Sequence, residues 1–113
     1  MDKLNSYREI IIKMLAEFTK LEYANAEIQN QTVFDLENDH YLVMSIGWYK
    51  NQPKRIHGCL IHLDIIDGKV WVQRDGTDYG IANDLVAAGI PKEEIVLGFH
   101  EPKIRQYTDF AVV

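Results

Sequence analysis

From Leu4 to Leu21 the apolar residues Leu4, Tyr7, Ile11, Met14, Phe18 and Leu21 recur three and four positions apart, and no Gly or Pro interrupts them. That spacing draws one stripe down a helix and predicts an amphipathic helix whose start Asp2, Asn5 or Ser6 can serve. The stripe ends before a third heptad is complete, too early for a coiled-coil seam. Packing of the helix on a sheet is the expected use of its apolar face.

The period then changes to two. Ile28 to Leu36 reads as a strand, with Ile28, Thr32, Phe34 and Leu36 of one parity, and Glu37-Asn38-Asp39 reads as a turn. From Tyr41 to Tyr49 a second strand places Leu42, Met44, Ile46 and Trp48 on one face, before Lys50-Asn51-Gln52-Pro53 closes it. Arg55 to Asp75 is a hairpin about Asp67-Gly68, the dipeptide that suits a two-residue type I′ turn because both positions need positive φ. Such a turn fixes the register: Ile65 opposite Val70, Leu63 opposite Val72, Ile61 opposite Arg74. Cys59, Ile61, Leu63, Ile65, Val70 and Val72 then form a core face, and Leu60, His62, Asp64, Trp71, Gln73 and Asp75 the other.

Beyond Asp75-Gly76, the run Gly80 to Ala88 carries Ile81, Ala82, Leu85 and Val86 on one side and Gly89 at the stop position, the pattern of a short helix. Pro91 with Glu93 and Glu94 opens a further helical turn. Phe99, Tyr107, Phe110, Val112 and Val113 make the tail apolar enough to dock on the sheet or on another subunit. The expected fold class is α+β, one domain over residues 1–113: an N-terminal helix packed on an antiparallel β-meander of about four strands, followed by short C-terminal helices and a docked tail.

With 113 residues, 47% hydrophobic and 26% charged, the chain has ordinary globular composition and one core is expected. The net charge of −5 repels a phosphate backbone, so contact with nucleic acid is expected only indirectly, through a protein. The single cysteine cannot close an internal disulfide, and neither a signal segment nor a long uncharged apolar run is present. A cytoplasmic protein without membrane contact is expected, with a homodimer open as one form of assembly.

Candidate chemistry is sparse. Four histidines, His40, His57, His62 and His100, raise a zinc or iron site, but strict alternation sends His57 and His62 to opposite faces, and only His62 and Asp64 share one. A strand histidine hydrogen-bonded near Trp71 accounts for the same residues. Cys59 in an apolar row reads as a small buried hydrophobe, since a reactive thiolate wants a polar or electropositive setting. Asp35, Glu37 and Asp39 lack the glycine and distal glutamate of a calcium loop and read as a solvated turn. Lys50, Lys54 and Arg55, with Lys103 and Arg105 and with Tyr49 and Tyr107 beside them, could touch a phosphate backbone, against which the net acidity weighs. A basic rim meeting an acidic protein partner explains the same residues at least as well. No serine-histidine-aspartate order, phosphate loop, paired-cysteine motif or dinucleotide fingerprint is present, so no catalytic residue and no cofactor is assigned.

The ordered runs Gly58-Cys59-Leu60-Ile61-His62-Leu63-Asp64-Ile65, Asp67-Gly68-Lys69-Val70-Trp71-Val72-Gln73 and Asp75-Gly76-Thr77 strongly resemble the XisI family, the fdxN element excision controlling factors of cyanobacteria. The resemblance extends through Tyr7-Arg8, Asp39-His40-Tyr41, Gly47-Trp48, Gly80-Ile81-Ala82, Ile90-Pro91-Lys92, Leu97-Gly98-Phe99-His100, Arg105, Tyr107-Thr108 and Phe110-Ala111-Val112. Glu101 precedes Pro102 where the family commonly has a second proline. The resemblance implies a factor required for, or controlling, excision of a DNA element by a site-specific recombinase during heterocyst development. It also implies a companion of the XisH family, which resembles nuclease-fold proteins, and it transfers no catalytic residues. The expected mode of action is therefore binding of that partner. The expected contact set is His62, Asp64, Trp71, Gln73 and Arg74, with Trp71 as aromatic anchor. Alternatives are an antitoxin-like inhibitor of the same partner and a small enzyme or metal-binding domain using His62 and Asp64.

Overall fold

A computed structural model describes residues 2–113. Helix α1 spans Lys3–Ala16, begins where the Asp2 side chain accepts the Leu4 N–H at 3.0 Å, and tightens into a 3₁₀ turn over Glu17–Lys20. Tyr7, Ile11, Leu15 and Phe18 are its buried residues. Leu15 thus takes the central place expected of Met14, which is only partly buried, and Leu21 lies past the helix and is exposed. The stripe is the expected one, rotated by one residue where the helix narrows.

Five strands follow: β1 Ala26–Asp35, β2 His40–Tyr49, β3 Arg55–Ile66, β4 Lys69–Asp75 and β5 Ile95–Leu97. They lie in the sheet in chain order, β1 to β4 antiparallel and β5 parallel to β4. The α+β class holds, and the expected four-strand meander is extended by a short fifth strand drawn from the C-terminal region. A parallel neighbour needs a crossover, and α2, Ile81–Ala87, with the 3₁₀ turn Lys92–Glu94 supplies it. Beyond β5, α3 (Pro102–Arg105) leads to a tail that docks as expected: Ala111 bridges Val96 and its N–H donates to the Ile95 carbonyl at 2.9 Å.

The Asp67-Gly68 turn has φ of +50° and +81°, the type I′ requirement, and it sets Ile65 opposite Val70 and Leu63 opposite Val72 as expected. Asp39, at φ +56°, ends the β1–β2 loop, and its carboxylate takes both Arg8 Nε at 2.8 Å and Arg8 Nη2 at 3.0 Å. That pair pins α1 over the sheet near one end. Nearby, Tyr7 donates to Glu94 Oε1 at 2.6 Å, and towards the other end buried Asn30 on β1 donates to the Phe18 carbonyl and accepts from Ser45 Oγ. Ile61, Leu63, Val70, Val72, Tyr41 and Val43 face the helix as the core, joined by Ile81, Leu85 and Ile90. Asp35 caps its own turn by accepting the N–H groups of Glu37 and Asn38, and Asp39 holds the helix through Arg8.

Leu42, Met44, Ile46 and Trp48 share one face of β2 as expected, and one expectation about β3 is corrected. On β2 the core residues are Tyr41 and Val43, so Leu42, Met44, Ile46 and Trp48 point away from the helix. Both parities of β2 are apolar, and alternation alone could not choose between them. On β3 a bulge lies between the pairs Val43–Ile61 and Met44–Cys59, with Leu60 as the extra residue. The register therefore takes Cys59 off the core face, and Leu60 packs against the core instead.

Candidate functional site

The sheet has one face under α1, and on the other the C-terminal segment packs at the β4–β5 side. Across strands the open face carries Val33, then His40, Leu42, Met44, Ile46 and Trp48, then His57, His62 and Asp64, then Trp71 and Arg74. The second β-bulge decides how these meet. It falls between the pairs Leu63–Val72 and His62–Arg74, so Ile61 stands opposite Asp75, not opposite Arg74. Arg74 is thereby moved from the end of the core face to the open face, beside His62. Asp75 leaves the expected set: its carboxylate accepts the N–H groups of Thr77 at 2.9 Å and Ile81 at 2.7 Å and so holds the approach to α2.

Asp64 is the centre of the cluster. Its side chain is only 8% exposed, and Oδ1 lies 2.7 Å from His40 Nδ1 and 2.8 Å from His62 Nε2. His62 stands two residues from Asp64 on β3, while His40 faces it from β2 as its cross-strand partner. The two rings meet nearly edge to face, 6.2 Å apart at 72°. Gln73 Nε2 donates to Asp64 Oδ2 at 3.2 Å, so both carboxylate oxygens are engaged. The hydrogen bond to Asp64, with the attraction of its charge, raises the pKa of His40 above the usual imidazole value. Alternation along β3 pairs His62 with Asp64 on one face but does not reveal the third member, His40. The signal was the β2–β3 register, which sets His40 opposite Asp64 once Tyr41 and Leu63 share the core face. The β3 bulge also returns His57 to the side of His62, yet it does not join the cluster.

Trp71 lies across from Asp64 on β4 and is half-buried. The Arg105 guanidinium carbon sits 5.1 Å from its ring centroid, and Arg105 is held in turn by the carbonyls of His100, Gly98 and Val112. A Cβ on Gly98 would stand 2.7 Å from Gln73 Oε1 and 3.1 Å from Trp71 Cε3, so the loop after β5 lies directly against both side chains and a larger residue there would displace the Gln73 amide. Trp71 is consequently a seat for the chain's own C-terminal segment. Among the five expected contact residues, Asp64 is buried, Trp71 and Gln73 are packed beneath that segment, and His62 and Arg74 reach the surface. The basic residues before the hairpin cover aromatic rings, Arg55 over Trp48 and Lys54 over Tyr49.

Elsewhere, a hollow of about 440 Å³ opens on the helix side between Phe18, Leu21, Tyr23, Leu60 and Tyr79. Cys59 donates its S–H to the Ile61 carbonyl, and burial raises its pKa. Among the described residues no helix is long and apolar enough to cross a membrane.

A family model described as the XisI protein matches residues 1–112 of the chain. A XisI-like protein from Anabaena variabilis of known crystal structure is 41% identical, with a TM-score of 0.84 over 98% of this chain and 100% of its own. The fdxN element excision controlling factor XisI from the same organism is 33% identical, with a TM-score of 0.81 over 99% and 100% of the two chains. No curated protein matches.

Proposed function

The chain belongs to the XisI family, and from that premise we propose that it is a non-catalytic accessory factor controlling excision of a DNA element. It acts by binding a nuclease-like partner of the XisH type through the open face of its sheet. The structural neighbour described as an fdxN element excision controlling factor supports the process. The open face supports the mode of action, and it is the observation that carries the reading.

Leu42, Met44 and Ile46 form an apolar row on that face, flanked by Val33 at 51% and Trp48 at 52% exposure. Each apolar side chain left in water forgoes about 25 cal/mol per Å² of stabilisation that a partner would supply, and a contiguous row is how an interface core is built. His62 and Arg74 at one end and Arg55 at the other supply a polar and basic rim. That rim suits an acidic partner surface, while the net charge of −5 disfavours direct docking on DNA.

Co-expression with an XisH-type protein tests the proposal. The wild-type chain is expected to co-purify with it in a defined ratio, and Ile46→Lys, which places a charge in the middle of the row, is expected to weaken the complex at least about tenfold. Circular dichroism and thermal melting establish that the variant is folded. No complex, or one indifferent to Ile46→Lys and to Arg74→Glu, overturns the reading. Sedimentation of the chain alone shows whether a second copy covers the same row.

A further inference from the structure

The geometry points to a divalent transition-metal site, formed by His40 and His62 with Asp64 at one end of the open face. Two imidazoles and a carboxylate are a donor set that zinc and its first-row neighbours take up readily. Here the three donors come from two adjacent strands, and their ligand atoms all lie within 4.8 Å of one another. No other group of His, Cys, Asp or Glu among the described residues is so disposed.

Three features distinguish this cluster from a chance surface group. The carboxylate is buried on a central strand, so its position is fixed by the sheet and not by a mobile side chain. Gln73 holds Oδ2 through its Nε2 and leaves Oδ1 directed at both rings, the kind of outer contact that orients a ligating carboxylate. The glycine at position 98 makes room for Gln73 in turn, since a Cβ there would press on Gln73 Oε1. The histidines are the accessible members, 48% and 32% exposed at their side chains, which gives an ion a way in.

Donors around a tetrahedral zinc at about 2.0 to 2.1 Å stand roughly 3.3 Å from one another. The present separations of 2.7 and 2.8 Å are hydrogen-bond distances, so an ion entering would replace the two hydrogen bonds and move the rings outward by about half an ångström. The exposed His40 ring, at the first residue of β2, can make that adjustment without disturbing the core. Each ring would present a lone pair in place of its N–H, with the proton on its far nitrogen. Three protein donors leave a fourth position for water or for a donor from a bound partner.

The test is calorimetric titration of the purified full chain, free of any histidine tag, with zinc chloride, and with cobalt chloride followed by visible absorption. One ion per chain is expected, with the intense absorption of four-coordinate cobalt, and His40→Ala and His62→Ala are each expected to weaken binding at least tenfold. His57→Ala, on the same face but outside the cluster, should leave the affinity unchanged. Melting curves without metal establish that the variants are folded, and Gln73→Ala should weaken binding less than loss of a ligand. Absence of saturable binding at one ion per chain overturns the site. So does binding that survives either histidine substitution, which would mark the two rings as hydrogen-bond partners of Asp64 and nothing more.

Discussion

Arg105 lies over the indole of Trp71, its guanidinium carbon 5.1 Å from the ring centroid, and this contact fastens the C-terminal segment to the open side of β4. The same guanidinium donates to the carbonyls of His100 at 3.1 Å and of Gly98 and Val112 at 3.4 Å, so one side chain gathers the loop after β5, the tail and the tryptophan. Arg105→Ala is expected to lower stability by about 1 to 2 kcal/mol, the sum of a partly desolvated cation–π contact and weak hydrogen bonds. It should also uncover Trp71. In a Trp48→Phe background, acrylamide quenching of the remaining tryptophan should rise in the Arg105→Ala protein, and unchanged quenching would disprove the seat.

Two glycines on neighbouring strands should answer to alanine in opposite ways. A Cβ at Gly47 would fall 2.0 Å from the Glu27 carbonyl oxygen and 2.8 Å from Ile28 Cα, both backbone atoms of the paired strand. Because the backbone cannot step aside without breaking the β1–β2 ladder, Gly47→Ala is expected to cost about 3 kcal/mol or to abolish folding. Gly58 has no atom within 4 Å of the same position, and Gly58→Ala should stay within about 0.5 kcal/mol of wild type. Urea denaturation of the two variants makes the comparison.

Asp39 holds Arg8, and the hydrogen bond from Arg8, with one from Tyr41, sets its carboxyl pKa below the usual value. A carboxylate with a lower pKa folded than unfolded adds stability that is complete above the unfolded pKa of about 3.9 and disappears as pH falls through the folded one. Asp39→Asn keeps a residue that tolerates φ of +56°, so backbone strain does not confuse the result. The variant should be less stable than wild type at pH 6 to 7, and the difference should shrink steadily below about pH 4. Thermal melts across that range measure it, and a constant difference would refute the ion pair's role.

Cys59 should react slowly. Burial raises its thiol pKa and its S–H is committed to the Ile61 carbonyl, so little thiolate forms near neutral pH. Reaction with a disulfide reagent at pH 7.5 is expected to be at least about tenfold slower in the native chain than in urea. Equal rates would place the thiol at the surface.

Several elements were legible because their signals are local. The spacing of Tyr7, Ile11 and Phe18 required a helix with one buried face, and Asp67-Gly68 required a two-residue turn with positive φ at both positions. From that turn the pairs Ile65–Val70 and Leu63–Val72 followed directly. Tail docking followed from Phe110, which packs against the core, whereas Phe99, Tyr107, Val112 and Val113, apolar by the same argument, remain exposed because the tail is held by Arg105 and the backbone bond of Ala111.

The tertiary structure alone decided which face of β2 is inside, because Tyr41 and Val43 are as apolar as Leu42 and Met44 and only the position of α1 separates them. It also decided the two bulges, since an extra residue in a strand leaves no mark on composition yet exchanges every face beyond it. One bulge withdrew Cys59 from the core face and the other brought Arg74 beside His62. His40 could not be joined to Asp64 by spacing along the chain, for 24 positions separate them and their 2.7 Å contact exists only through strand pairing. Local sequence specified the elements and one register, and the long-range register, which depends on how the strands meet beneath the helix, assembled the site.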